Sequence, residues 1–418
     1  MSEHNEHNDP GSRADSDSPS SDSPSSDSPS SGPTPADSSP SDSPPAGFWR
    51  ARWRAFTRTP FFPASVLVLI VAAGAGLFAA SYTYALADPT PRDIPAAVVG
   101  HAQDERRARA FVTGMEKALG SSLKLHRYGT YAEAKEAVDD QKVFAVLRVG
   151  ADDEVVMELS GAAGASVAEV LSSAAPEAGR EAGVKVTVRD LKPLGRGDPR
   201  GLTIFYITLA ADIIGFIGAI QLHANVPNLT RWPRVAVIAA YSLLGGFVIA
   251  AMVDWLLRAV NLPFVHSWTI LSLTMFTAGM VFTMFNTLFG RWAMIPTWFL
   301  LVLLGNPSSG GAVSWPLLPS LLGTVGRWLP PGASVNAQHT AVYFPGNVHA
   351  WPYLVLAAWA LAGATVFLTL DERLRGQPAG EARSGGDGQP GPSPADTPPA
   401  GDEPTGSGER DGRRGGPA

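Results

Sequence analysis

The sequence of 418 residues contains no cysteine, which excludes disulfides, zinc sites built on thiolates and cysteine nucleophiles. Charged residues are also scarce, at 17% of the chain against roughly 25% in ordinary soluble domains. The net charge is −6, and no basic stripe with interleaved aromatic residues occurs outside one short segment. The sequence therefore predicts no nucleic-acid partner.

Motifs for nucleotide and metal chemistry are missing as well. The chain has no Gly-x-x-x-x-Gly-Lys-Ser/Thr loop and no His-Glu-x-x-His helix, and its eight histidines lack ligand spacing. The segment Asn306–Gly311 suggests an intramembrane serine protease built on Ser308 or Ser309, but the last apolar segment offers no histidine as the base. His339 and His349 fall in the loop before it. We therefore expect no enzyme activity, no catalytic residue, no metal and no cofactor.

Large apolar side chains are almost absent from the two ends of the chain. Residues 1–46 carry the pentapeptide Ser-Asp-Ser-Pro-Ser three times in tandem from Ser16, and residues 373–418 are rich in Gly, Pro, Asp and Arg. Such segments cannot bury enough apolar area to offset the entropy lost on ordering. We predict that both tails are disordered.

Long apolar runs fill the middle of the chain. They predict a polytopic α-helical membrane protein with about six transmembrane helices, the first at 61–83 and the other five within 202–372. The six segments are Phe61–Thr83, Leu202–Leu222, Val235–Leu256, Trp268–Phe289, Trp292–Leu304 and Trp351–Leu370. The lipid bilayer is the first partner that the sequence predicts.

Arginines flank these segments unevenly, and positive charge marks the cytoplasmic side. Nine lie on one side, namely Arg50, Arg52, Arg54, Arg58, Arg231, Arg234, Arg291, Arg373 and Arg375. The short connections on the opposite side contribute only Arg258 and Arg327. We therefore expect a multi-pass plasma-membrane protein with both termini in the cytoplasm and residues 87–201 outside.

Residues 47–60 combine aromatic and basic side chains at helical spacing. Aromatic residues at i, i+4 and i+7 lie beside a stripe of arginines, which is typical of an amphipathic helix at an anionic membrane surface. The anchor residues are Trp49, Arg50, Trp53, Arg54, Phe56 and Arg58. A stop-transfer flank without helical order is the alternative, because the segment is short.

The segment 87–201 predicts a small α/β extracytoplasmic domain between the first two transmembrane helices. The predicted strands are Ile94–Gly100, Ser122–Arg127, Val143–Val149, Glu154–Leu159 and Lys185–Asp190, and the predicted helices are Gln103–Leu119, Tyr131–Asp140 and Ser166–Ala178. Acidic and basic residues nearly balance, so the sequence predicts no strong preference for a charged ligand.

Asp212 lies at the midpoint of the second predicted span. A carboxyl group there costs about 2.5–3.5 kcal/mol on insertion scales. One hypothesis makes it a substrate- or proton-contacting group on a hydrated pathway. The other makes it a packing group, either as a neutral acid or bonded to Asn286 or Thr208.

Small residues repeat every fourth position on two of the predicted spans. They permit close helix approach, either within one bundle or across a homodimer. The stripes are Ala72, Gly76 and Ala80 on the first span, and Ala211, Gly215 and Ala219 on the second.

The stretch from Trp292 to Pro330 predicts a broken or re-entrant element at 305–330. Its apolar run before Asn306 reaches only about 20 Å, short of a 30 Å hydrocarbon core. Pro307 ends the helix, and Gly310 with Gly311 lets the chain turn. We expect the element to pack back into the bundle. Broken helices are tolerated only against protein or a water-filled cavity. Asn306, Pro307, Gly310 and Gly311 are therefore substrate-pathway candidates together with Asp212.

The same region carries a resemblance to a known family. The layout of 48–372 is similar to that of ABC-2-type permeases, in the phage-infection-protein-like branch with its actinobacterial members of unassigned function. The most specific stretch runs Leu304-Gly-Asn-Pro-Ser-Ser-Gly-Gly-Ala-Val, Leu317-Leu-Pro, Trp328-Leu-Pro-Pro-Gly-Ala and Tyr343-Phe. The resemblance implies an export-type half-transporter that pairs with a second copy or a homologue and is driven by a separate ABC ATPase subunit.

Two hypotheses for function follow. The first is a permease-like component of an ABC-2-type export system that moves an amphiphilic or cell-envelope substrate. The second is a non-transporting membrane protein whose extracytoplasmic domain binds a partner or supports envelope assembly.

Overall fold

The computed structural model describes residues 48–57, 59, 61–87, 89–100, 105–149 and 154–375. The predicted tail 1–46, Arg58 and the part of the C-terminal tail from 376 onward lie outside the described residues. The chain divides into two structural units between Leu69 and Ile70.

The first unit contains helix α1, Phe48–Thr57, and the start of helix α2, Phe61–Leu86. Arg50 and Arg54 are exposed, and the ring of Trp53 meets that of Phe62 edge-on at a centroid distance of 6.4 Å. The predicted amphipathic segment is thus helical over Phe48–Thr57, whereas its position at a membrane surface stays a prediction. The side chains of Trp49 and Phe56 lie outside the description.

Five helices among the described residues are long and apolar enough to cross a membrane, and they indicate a membrane-associated protein. They are α2, α6 at Thr203–Asn225, α7 at Arg231–Ala251, α8 at Phe264–Phe289 and α12 at Trp351–Arg375. α7 continues as a π-helical turn over Met252–Leu256, and α8 is followed by a 3₁₀ turn over Gly290–Trp292. The structure is mostly helical, as expected.

The fifth predicted span, Trp292–Leu304, differs from the others. It forms helix α9, Met294–Trp298, followed by a π-helix over Phe299–Gly305. The pair Met294–Gly305 is shorter than about 20 Å, against a hydrocarbon core of about 30 Å. Asn306, Pro307 and Ser308 then form a turn, so this segment does not cross a membrane as one continuous helix.

α8 is the most buried of the long helices, and glycines bring its neighbours close to it. A Cβ atom on Gly215 of α6 would lie 2.5 Å from the carbonyl oxygen of Met275, and one on Gly246 of α7 would lie 2.7 Å from the backbone nitrogen of Ser272. The stripe on α6 therefore serves packing within the bundle. On α2, a Cβ at Gly76 would have no described atom within 4 Å.

Between α2 and α6 lies a five-stranded sheet with helices on both faces. The strands are β1 at Ile94–Val99, β2 at Leu123–Tyr128, β3 at Ala145–Val149, β4 at Glu154–Leu159 and β5 at Lys185–Asp190. The helices are α3 at Glu105–Leu119, α4 at Tyr131–Asp139 and α5 at Ala165–Ala182. The strand order is β2-β1-β3-β4-β5, with only the β3–β4 pair antiparallel.

Successive residues of a strand face opposite sides of the sheet, and so contact different helices. Ile94 and Ala96 of β1 share a hydrophobic cluster with residues of α3 and α5, whereas Ala97 packs with α4 on the opposite face. α3 and α5 approach so closely that a Cβ on Gly114 would lie 2.9 Å from the carbonyl oxygen of Ala178. The result is a three-layer α/β domain, which confirms the prediction of a small α/β domain in this segment.

The broken segment after the π-helix differs from the expectation. It contains a 3₁₀ turn over Trp315–Leu317, helix α10 at Ser320–Val325, a second 3₁₀ turn over Gly326–Trp328 and helix α11 at Pro330–Tyr343. Its apolar side chains Val313, Leu317 and Leu318 do not pack only against the bundle. They belong to the hydrophobic core of the α/β domain, on its α3–α5 face.

Candidate functional site

The predicted pathway residues fall into two regions. Asp212 lies inside the helical bundle on α6, and Asn306 and Pro307 are buried where the π-helix ends. Gly310 and Gly311 instead line a cavity between the bundle and the α/β domain.

Four buried polar side chains, Thr208, Asp212, Thr274 and Ser334, form what we call the polar track. The Thr274 hydroxyl donates to that of Ser334 at 2.6 Å, and the Ser334 and Thr208 oxygens lie 3.4 Å apart. Thr208 and Asp212 are one turn apart on the same face of α6. The track thus connects α6, α8 and α11 through polar atoms in a region otherwise packed with apolar side chains.

Among the described residues, Asp212 makes neither of the hydrogen bonds, to Asn286 or to Thr208, that the bonded form of the packing hypothesis predicts. Its side chain is fully buried, and neither carboxyl oxygen has a hydrogen-bond partner among the described residues. Thr208 contacts Ser334 instead, and the Asn286 amide lies 3.3 Å from a ring nitrogen of His223. An unpaired acid at this depth is costly, which favours a functional group over a structural one.

Asn306 presents a second unsatisfied group at the end of the π-helix. Both polar atoms of its side-chain amide are buried without a partner among the described residues. π-helical turns leave backbone carbonyls out of register and recur at functional sites. Here the Ser81 hydroxyl of α2 donates to the carbonyl of Leu303 at 2.6 Å, and that of Tyr82 to Val302 at 3.5 Å.

The two serines after Pro307 satisfy backbone groups of the broken helix. The hydroxyl of Ser308 donates to the Leu304 carbonyl, and the hydroxyl of Ser309 donates to the Asn306 carbonyl, each at 2.7 Å. Both hydroxyls therefore cap the helix end left open by the turn.

Glycines shape the bend that follows. Gly310 has φ +82°, and a Cβ atom there would lie 2.5 Å from Nε1 of Trp315. Gly311 passes Phe205 of α6, whose Cβ would lie 3.0 Å from an added Cβ. At Gly310 only glycine combines this backbone conformation with such close approach, whereas Gly311 contributes close approach alone.

The bend borders a cavity of about 440 Å³ that separates the α/β domain from the start of α6 and α11. We call it the junction cavity. Ile204 and Val335 line its wall on the bundle side. Ile204 lies one turn before Thr208, and Val335 follows Ser334, so the polar track begins directly behind this wall.

Polar contacts hold the α/β domain against the bundle around the junction cavity. The Gln141 amide donates to the Thr340 hydroxyl at 3.0 Å, and the Ser166 hydroxyl lies 3.0 Å from that of Ser314. The Lys192 ammonium sits 4.2 Å from the centre of the Phe344 ring. The domain is therefore fixed to α11 and to the broken segment at several points.

Two titratable groups at this junction have shifted pKa values. A hydrogen bond from Lys142 is the main cause of a lowered pKa for the Asp140 carboxyl, and Asn347 also donates to it. Burial lowers the pKa of His339 to about 4, and its Nδ1 lies 3.3 Å from the side-chain oxygen of Gln141.

No protein-family model, curated protein or solved structure matches this chain. The resemblance to ABC-2-type permeases accordingly remains a matter of sequence motifs. Within the described part of the chain, no group of three or more potential metal ligands comes together.

The sequence patterns did not predict helix α11 or its buried polar residues. His339 lies on this helix and not in a loop, and Ser334 and Gln338 are fully buried on it. The segment escaped notice because it has no apolar run. The signal that could have found it is the Pro330-Pro331 pair, since proline is favoured in the first turn of a helix.

Proposed function

We propose that this chain is the membrane permease of an ABC-2-type export system, with its ATPase on a separate chain. The transported substrate is amphiphilic or a cell-envelope component. Two copies, or one copy and a homologue, form the transporter. Both termini lie in the cytoplasm and the α/β domain lies outside, as the distribution of arginines favours.

The polar track behind the junction cavity carries this proposal. A bundle that needed only to hold a domain in the membrane would gain stability from apolar side chains at 208, 212, 274 and 334. Instead it buries three hydroxyls and an acid that has no hydrogen-bond partner in the described part of the chain. Intramembrane polar groups of this kind mark substrate or ion pathways.

The absence of cysteine allows a direct test, because single cysteines can be introduced without removing native ones. Thr208→Cys and Ser334→Cys probe the track. Ser242→Cys is the matched control, since Ser242 is equally buried on α7 but lies outside the track. Each variant is treated in membranes with a small, charged methanethiosulfonate reagent.

A hydrated pathway predicts that the two track cysteines react and the control does not. ATP should change their reactivity in membranes that contain the ATPase subunit, and a tagged chain should co-purify with a P-loop protein in near-equal amount. Track cysteines as inert as Ser242→Cys, with and without ATP, would overturn the proposal.

A pocket in the α/β domain favours the alternative, a membrane protein whose outside domain binds a partner. The pocket has a volume of about 260 Å³ and lies at the carboxyl ends of β1 and β3, where Val99 and Val149 line it. The next strand along the chain lies on one side of this pair for β1 and on the other side for β3, and ligands commonly bind at such a point. Ala108→Trp would fill the pocket. It should abolish the cellular phenotype under the alternative and preserve it under the transport proposal.

A further inference from the structure

Positive charge is concentrated around the junction cavity. Among the described residues that line it, the only carboxylate is Asp140, and this group is already paired with Lys142 at 2.8 Å. Lys124, Arg200 and Arg327 also line the cavity, and none of them forms an ion pair with a described carboxylate. Three cationic side chains from separate parts of the chain therefore face one space.

Two neutral hydrogen-bond donors add to this charge. Trp315 and Tyr343 line the cavity, and the indole Nε1 of the first and the hydroxyl of the second are buried without a partner among the described residues. Buried donors are nearly always satisfied, so each unsatisfied one calls for an acceptor. The Arg327 guanidinium lies 4.6 Å from the centre of the Trp315 ring, which places a cation beside one of the two donors.

Apolar side chains complete the lining. Phe144 from the α/β domain, Ile204 from α6 and Val335 from α11 contribute walls without hydrogen-bonding groups. The cavity volume of about 440 Å³ lies within the range of ligand sites. The cavity lining thus combines cations and hydrogen-bond donors with an apolar surface that can contact a hydrocarbon chain.

We infer that the junction cavity binds an amphiphile with a phosphate-type anionic headgroup. The cations Lys124, Arg200 and Arg327 bind the headgroup oxygens, and the donors of Trp315 and Tyr343 bind the same group. The hydrocarbon part lies along Phe144, Ile204 and Val335. This inference rests on the proposed function and names the substrate class at the outer end of its pathway.

Binding to the purified full-length protein in a neutral detergent tests the inference. The probes are dioctanoyl phosphatidic acid, inorganic phosphate and dioctanoyl glycerol, and the readout is native mass spectrometry or calorimetry. The variants are Arg200→Gln and Arg327→Gln. Arg196→Gln is the matched control, because Arg196 is exposed, lies four residues from Arg200 and does not line the cavity.

We expect phosphatidic acid to bind more tightly than either other probe. Each of Arg200→Gln and Arg327→Gln should weaken it by about tenfold or more, as for a lost hydrogen bond to a charged group. Arg196→Gln should leave binding unchanged.

Three results would overturn the inference. Equal binding of inorganic phosphate would show a site for a free anion, and equal binding of the uncharged diacylglycerol would show a site without anion recognition. Unchanged binding in both cavity variants would place the ligand elsewhere. None of these results alters the reactivity expected of the track cysteines, so failure here is distinguishable from failure of the transport proposal.

Discussion

Leu317→Ala tests whether the broken segment is a structural part of the α/β domain. Leu317 is fully buried in the core of that domain, and its 3₁₀ turn contacts α5. Replacing a fully buried leucine by alanine removes apolar contacts and leaves a cavity, at a cost of about 2–5 kcal/mol. If the segment belongs to the core, this loss falls on the α/β domain, although the residue lies more than a hundred positions downstream in sequence.

Hydrogen exchange of the full-length protein in detergent measures that loss locally. A decrease of 2 kcal/mol in the opening free energy speeds amide exchange by about 30-fold. We expect at least this acceleration in α5 and β1 of the Leu317→Ala variant. Leu321→Ala is the control, because Leu321 lies on the same segment and is 72% exposed. It should change exchange by about twofold at most.

Unchanged exchange in α5 and β1 of the Leu317→Ala variant would refute the reasoning. Acceleration confined to the broken segment itself would show that the segment opens independently and contributes nothing to the domain. The same acceleration in the Leu321→Ala variant would indicate a general effect of substitution in this loop and not the loss of a core contact.

Four further predictions address the membrane region and the junction. A cysteine at Ser173 should react with a membrane-impermeant thiol reagent in whole cells and one at Ser28 only after lysis; the opposite pattern would invert the topology. A peptide covering 47–60 should gain helicity on anionic vesicles and lose it as salt rises, and equal binding to neutral vesicles would contradict its electrostatic attraction. Asp212→Leu should retain or raise thermal stability, since it removes a buried unsatisfied acid, while it abolishes the export phenotype; a normal phenotype would exclude a pathway role. Because the pKa of His339 falls from 6.5 to about 4 on folding, the unfolded state binds more protons between these values, and stability falls as pH falls. At pH 5 the free energy of unfolding is lower by about 2 kcal/mol at most. Thermal unfolding of the His339→Asn variant should lack this dependence on pH.

Local patterns predicted the individual elements well. Short apolar or alternating runs predicted all five strands of the α/β domain, and long apolar runs predicted the five long helices of the described residues. These signals depend on neighbours within a few residues. These patterns did not predict the π-helix at Phe299–Gly305 or helix α11, because a π-helix has no distinct apolar period and polar residues interrupt the apolar ones in α11.

The candidate site could be predicted only in part. Asp212 stood out because a charge inside an apolar run is rare, and Gly310 because two glycines follow a proline. The junction cavity was not predictable, since Lys124, Arg200 and Arg327 belong to different segments and meet only through the fold. The nearly equal numbers of acidic and basic residues in 87–201 did not indicate a cationic cavity, because these numbers do not determine where the charges lie in the folded domain.

The insertion of Val313, Leu317 and Leu318 into the α/β core has a consequence for biosynthesis. Residues 89–201 leave the ribosome before these three residues are synthesised. The core of the α/β domain therefore stays incomplete while the following helices are synthesised. At about 5–20 residues per second, the delay is on the order of ten seconds. During this interval its exposed apolar surface is open to chaperones and proteases. The core of the α/β domain can therefore be completed only after the helices that precede residue 313 have been synthesised.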